Sequence, residues 1–83
     1  MPRYFFDIHD GTLHPDKEGQ ECASLEEVRH EAMNVLPAIA KDKIPADGDR
    51  QAFTVMARDD GGRIVYTATI TFAGLWMYAD PGK

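Results

Sequence analysis

The stretch Ser24 to Lys41, SLEEVRHEAMNVLPAIAK, constrains this chain most, because it alone is long and periodic enough to specify a helix. Ser24 stands three residues before Glu27, the reciprocal pair in which the Ser hydroxyl takes the Glu27 amide and the Glu carboxylate reaches back to the Ser24 amide. Leu25, Val28, Ala32, Val35, Leu36 and Ile39 then recur at the spacing of one helical face, with Glu26, Arg29, His30 and Asn34 on the flanks and far side. Glu26 and Glu27 in the first turn, and Lys41 and Lys43 near the end, complement the helix dipole. Pro37 is discordant, since it removes the amide that would bond the Met33 carbonyl. It projects to the solvent side, so the sequence predicts a kink or an early end there.

A chain of 83 residues forms one domain, here with an ordered core over residues 2–73 and a tail from residue 74 to 83. A domain of this size buries only about 60 to 65% of the surface exposed by its unfolded form, so the core must be thin. Its aromatics (Tyr4, Phe5, Phe6, Phe53, Tyr66, Phe72, Trp76, Tyr78) supply buried area that a short helix could not. Cys22 is the single cysteine, which rules out an internal disulfide and, with no secretory leader pattern, suits a reducing cytoplasm. No apolar run approaches the roughly 20 residues that cross a bilayer. A formal net charge of −5 with nine basic residues offers no extended positive field, so neither nucleic acid nor an anionic membrane is expected as a partner.

Before the helix, Arg3 to His9 alternates as a strand does, with Tyr4, Phe6 and Ile8 on one side and Arg3, Phe5, Asp7 and His9 on the other. Asp10-Gly11 turns the chain, and Thr12 to Cys22 reads as a loop in which residues near Leu13 and near Glu21 can form short ladder pieces. Asp42 to Arg50, with Pro45 and Asp47-Gly48-Asp49, reads as the return from helix to sheet. Gln51 to Arg58 and Arg63 to Phe72 flank Asp59-Asp60-Gly61-Gly62, a hairpin signal. Phe53, Val55 and Ala57 of the first of these strands, and Ile64, Tyr66, Ala68, Ile70 and Phe72 of the second, are expected to face the core. The sequence thus predicts an α+β domain in the chain order strand, irregular loop, helix, strand, strand, with one helix packed on one face of a small antiparallel sheet.

The opening PRYFFDIHDG, the D-x-E-G of Asp16 to Gly19, the capped SLEEVRHEA and the R-D-D-G-G-R of Arg58 to Arg63 are similar to a family of small bacterial proteins known as a domain of unknown function. Members of that family begin with a tyrosine-phenylalanine-phenylalanine strand and close with a hairpin around an R-D-x-x-G turn. The resemblance runs from about Pro2 to Phe72 and implies a compact α+β domain of cytoplasmic bacterial origin. It implies no catalytic residue and no ligand. The tail after Gly74 departs from the family pattern.

Four side chains suggest a small metal site, Asp7 and His9 on one strand face and His14 and Asp16 in the loop, but residues of these types are also expected where a strand enters an Asp-Gly turn. Cys22 lies just before the helix N-terminus, where a thiol pKa can fall, although a lone cysteine is more often a small core residue. The Asp47-Gly48-Asp49 and Asp59-Asp60-Gly61 clusters lack the alternating oxygen ligands and distal glutamate of a calcium loop and read as turns. Gly61-Gly62 has no following helix and is no phosphate loop. Arg29 and His30 read as a solvated face. No catalytic, cofactor or metal residue is assigned on this basis.

A surface feature remains. Phe5, Met56 and Val65 are expected on the sheet face away from the helix, and Leu75, Trp76, Met77 and Tyr78 make the tail apolar again. Either that tail or a second copy of the chain is expected to cover this face, and scattered exposed apolar residues of no consequence are the rival reading. These seven residues form the candidate interaction surface. The functional expectation is a non-enzymatic module that binds a protein partner or itself as a homodimer. An antitoxin-like regulatory module is the second reading, by analogy of fold alone, and a small enzyme or metal protein the third.

Overall fold

A computed structural model of the chain describes residues 2–77, apart from the side chain of Asp47. Tyr78 of the expected interaction surface lies outside the described residues. Strand β1 (Arg3–His9) is followed by two-residue strands β2 (Leu13–His14) and β3 (Gln20–Glu21). Helix α1 (Leu25–Asp47) comes next, and then the hairpin of β4 (Arg50–Arg58) and β5 (Ile64–Ala73). The sheet runs β2-β1-β4-β5, with β3 paired to β1 beside β2, and every pairing is antiparallel. The α+β fold and the two short ladder pieces are those the sequence predicts.

The helix starts as its cap dictates. The Glu27 amide donates to the Ser24 hydroxyl at 3.3 Å, but the Glu27 carboxylate accepts the Ala23 amide at 2.7 Å instead of the Ser24 amide expected from the sequence. The first ties an orphan amide of the first turn, and the second pins the chain just ahead of the cap. Ser24→Ala should therefore cost about 1 kcal/mol in chemical denaturation, and an unshifted midpoint would show that the cap does not set the start.

The far end differs from expectation. The helix neither stops at Pro37 nor gives way to a loop after Lys41; it continues through Pro45 to Asp47. Both prolines are exposed, so each forfeits one backbone hydrogen bond on the wet side while Ile39, Ala40 and Ile44 keep their contacts with the core. The end is closed from outside. The Gln51 side-chain amide donates to the carbonyls of Ile44 at 3.0 Å and Gly48 at 2.9 Å, and Gly48 leaves the helix at φ 109°. With the end moved to Asp47 the last turn holds no basic residue, so Lys41 and Lys43 do not face the dipole as expected.

Val28, Ala32, Leu36 and Ala40, a strict four-residue row, are buried against Phe6 of β1 and Phe53, Val55 and Ala57 of β4, with Cys22 beside them. The helix packs on β4 and β5. Val35 and Ile39 are half-buried flanks, whereas Leu25 is exposed, contrary to expectation, because it precedes the first turn of that row.

On β5 the alternation changes phase. Ala57 pairs with Tyr66 and Arg58 with Ile64, which leaves Val65 as the extra residue of a bulge. Ile64 therefore stands opposite Arg58 on the outer face and is exposed, while Val65 packs against the core. Both placements reverse the sequence expectation, which assumed unbroken alternation.

Candidate interaction surface

The outer face of the sheet carries Phe5 and Asp7 of β1, opposite Arg58 and Met56 of β4, as the register requires. Arg58 is central to it. Its guanidinium lies 4.7 Å from the Phe5 ring centre, Nε donates to Asp7 Oδ2 at 2.7 Å, and a terminal nitrogen donates to the Asp16 carbonyl at 3.1 Å. The Asp16 carboxylate in turn accepts the amides of Phe6, Glu18 and Gly19, each at 3.1 Å, and Asp7 Oδ1 accepts the Asp16 amide at 2.8 Å. β2 covers Ile8 and His9 on the outer edge of β1, β3 covers Arg3 and Tyr4, and the Asp16 carboxylate takes the Phe6 amide in the gap between them. That edge is closed.

Gly19 completes the arrangement. It adopts φ 74°, and a Cβ placed on it would stand 2.8 Å from the Phe5 ring. The chain's own loop thus covers Phe5, a role the sequence reading reserved for the tail or a second copy. Met56, opposite Asp7, is half-buried beside it. Three of the stretches that carry the family resemblance meet here, through Asp7, Asp16 with Gly19, and Arg58. Sequence reading singled out each stretch without joining them, because contacts across 51 and 42 positions have no local signature.

The charges have clear physical causes. Burial pushes the Asp7 carboxyl up, but the Arg58 guanidinium and the Asp16 amide outweigh it and hold the group below its ordinary value. Asp16 likewise stays below the ordinary carboxylate range, burial being overcome by the Phe6, Gly19 and Glu18 amides. Burial, with Glu27 and Glu31 nearby, pushes the Cys22 thiol up, so the helix N-terminus does not activate it. The four side chains considered as metal ligands are committed apart. Asp7 and Asp16 belong to the Arg58 cluster, His14 Nε2 lies 3.1 Å from Asp10 Oδ1, and the Gly11 amide donates to His9 Nδ1 at 3.5 Å. Among the described residues no group of three His, Cys, Asp or Glu is placed to hold a metal ion.

Across the sheet the picture is different. Among the described residues β5 pairs with β4 alone, and Leu75, Trp76 and Met77 beyond it are 75%, 64% and 87% exposed.

Residues 3–71 match the family described as a domain of unknown function, DUF6894. The chain belongs to this family. The matched segment of this DUF6894 domain spans β1, the closed edge, the Arg58 cluster and nearly all of β5, and it stops before the exposed tail. No curated protein and no solved structure matches the chain. Among the described residues no helix is long and apolar enough to cross a membrane.

Proposed function

We propose that this DUF6894 domain is a non-enzymatic interaction module that associates with itself, using the open side of β5 and the apolar segment that follows it. One observation carries the reading: three consecutive large apolar side chains, Leu75, Trp76 and Met77, stand exposed at the end of a strand with no partner on its outer side among the described residues. A large aromatic entering a desolvated pocket is the usual anchor of a protein contact. Asp7 and Arg58 of the outer face are committed to each other, with the Asp16 carbonyl also on Arg58, which suits a structural role for that cluster. Cys22, the single cysteine, is a buried thiol, in keeping with a reducing cytoplasm.

Deletion after Ala73 tests the reading. Full-length protein should sediment as a dimer and melt at a temperature that rises with concentration, whereas the truncated chain should be a folded monomer with a concentration-independent melt. Trp76 is the only tryptophan, so its emission reports the contact directly and should shift to the red on dilution. A full-length chain that is monomeric at every concentration, with the emission of a water-exposed indole, overturns the proposal.

A further inference from the structure

We propose that β5 pairs with β5 of a second copy, antiparallel about a two-fold axis at Thr69, so that two sheets continue as one. This rests on the reading of the domain as a self-associating module and gives that contact its geometry.

The two edges of the sheet are treated differently. On β1 every stretch of the outer edge is taken, by β2, by β3 or by the Asp16 carboxylate. β5 has no such cover among the described residues, and its sequence IVYTATITFA holds no charged residue and no proline over ten positions. Edge strands that stay unpaired are ordinarily blunted by such residues. The backbone groups that face outward follow from the ladder. The Gly74 amide donates to the Asp49 carbonyl at 2.7 Å, which makes these opposite residues a hydrogen-bonded pair. By alternation Phe72, Ile70 and Ala68 turn their amides and carbonyls toward β4, and Thr67, Thr69 and Thr71 turn theirs to the open edge. The 2.8 Å contact between the hydroxyls of Thr54 and Thr69 fits this, since side chains approach most closely at pairs that do not exchange backbone bonds.

A second β5 complements this edge. With the axis at Thr69, Thr67 of each copy lies opposite Thr71 of the other and the two Thr69 residues face each other, so these threonines oppose their outward-facing backbone groups. The same register sets Phe72 of each copy opposite Tyr66 of the other on the helix side of the sheet. Phe72 is 38% exposed in the single chain although it lies on that side, so the pair has surface to bury, and symmetry forms it twice. Moving the axis one residue either way replaces Tyr66 by Ala68 or by Ile64. No charge of either strand lies on the seam, so two copies of net charge −5 meet there without like charges opposed. The pairing also carries each tail alongside the start of the other β5, where Ile64 is exposed.

Thr69→Pro in the full chain is the test. It removes an amide that faces the open edge and leaves the β4 ladder untouched, so the variant should keep the wild-type far-ultraviolet spectrum and sediment as a monomer. Thr69→Cys decides the matter independently, including where the proline variant fails to fold. A short bifunctional thiol reagent should couple Thr69→Cys chains into a covalent dimer and leave Asn34→Cys chains, on the far side of the helix, uncoupled; Cys22 is buried and does not compete. A wild-type dimer that fails to couple through position 69, or that persists in a folded Thr69→Pro variant, overturns the strand pairing and leaves self-association standing. A wild-type chain that is monomeric at every concentration overturns both.

Discussion

Phe53→Ala should lower the stability of the domain by about 3 to 5 kcal/mol, the usual cost of emptying a fully enclosed aromatic site. Phe53 lies within β4, the strand bonded on both sides and covered by α1, and is only 2% exposed. At about 0.05 to 0.15 kcal/mol per residue, a chain this short has only about 4 to 12 kcal/mol in all, so the loss is a large part of the total. A thin core has no second layer to collapse into the vacancy. Phe72 provides the internal comparison, because it faces the same side of the sheet and yet keeps more than a third of its surface in water. Phe72→Ala should therefore shift the midpoint of a urea titration by well under half as much, when measured at a concentration where the protein is monomeric. Equal shifts would place the core elsewhere than under the row from Val28 to Ala40.

The parts of the fold that could be read in advance are those specified by neighbours in sequence. Ser24 and Glu27 mark a helix start within one turn, Phe53, Val55 and Ala57 alternate without interruption, and Asp59 to Gly62 turns the chain by local hydrogen bonds that the Gly61 and Arg63 amides donate to the Asp59 side chain. The misreadings each have a contact from far along the chain behind them. Pro45 and the Asp-Gly pair signal a loop after Lys41, but Ile44 is held by the core and its carbonyl by Gln51, and these contacts favour helix over the local preference. The bulge at Val65 is invisible because both of its neighbours are apolar, so the sequence offers no polar residue to mark the change of face. The candidate surface was legible to a similar degree. Leu75, Trp76 and Met77 are conspicuous in any reading, whereas the cover of Phe5 depends on Asp16 reaching the Phe6 amide and on Gly19 fitting beneath the ring.

That cover leads to the second large effect. Gly19→Ala should destabilise the domain by about 2 to 5 kcal/mol, the sum of a left-handed backbone imposed on a residue with a Cβ and of overpacking against a ring that has little room to retreat. The added methyl would meet Phe5 at 2.8 Å and the Arg3 side chain at 2.9 Å, and Phe5 is itself held beneath Arg58. Relief requires the loop to lift, and lifting it separates Asp16 from the Phe6 amide and from Arg58. The consequence has a pH signature. Asp7 and Asp16 both have folded pKa values below their ordinary 3.8, so the stability they contribute is present above about pH 4 and is lost as the pH falls through the folded values. Wild-type protein should thus lose stability below about pH 4, and Gly19→Ala, already deprived of those contacts at neutral pH, should lose less. Urea midpoints of both proteins at neutral pH and near pH 3 provide the comparison. If the variant matched the wild type at neutral pH, or kept the full acid slope despite its lower stability, the loop would not be what holds Asp7, Asp16 and Arg58 together.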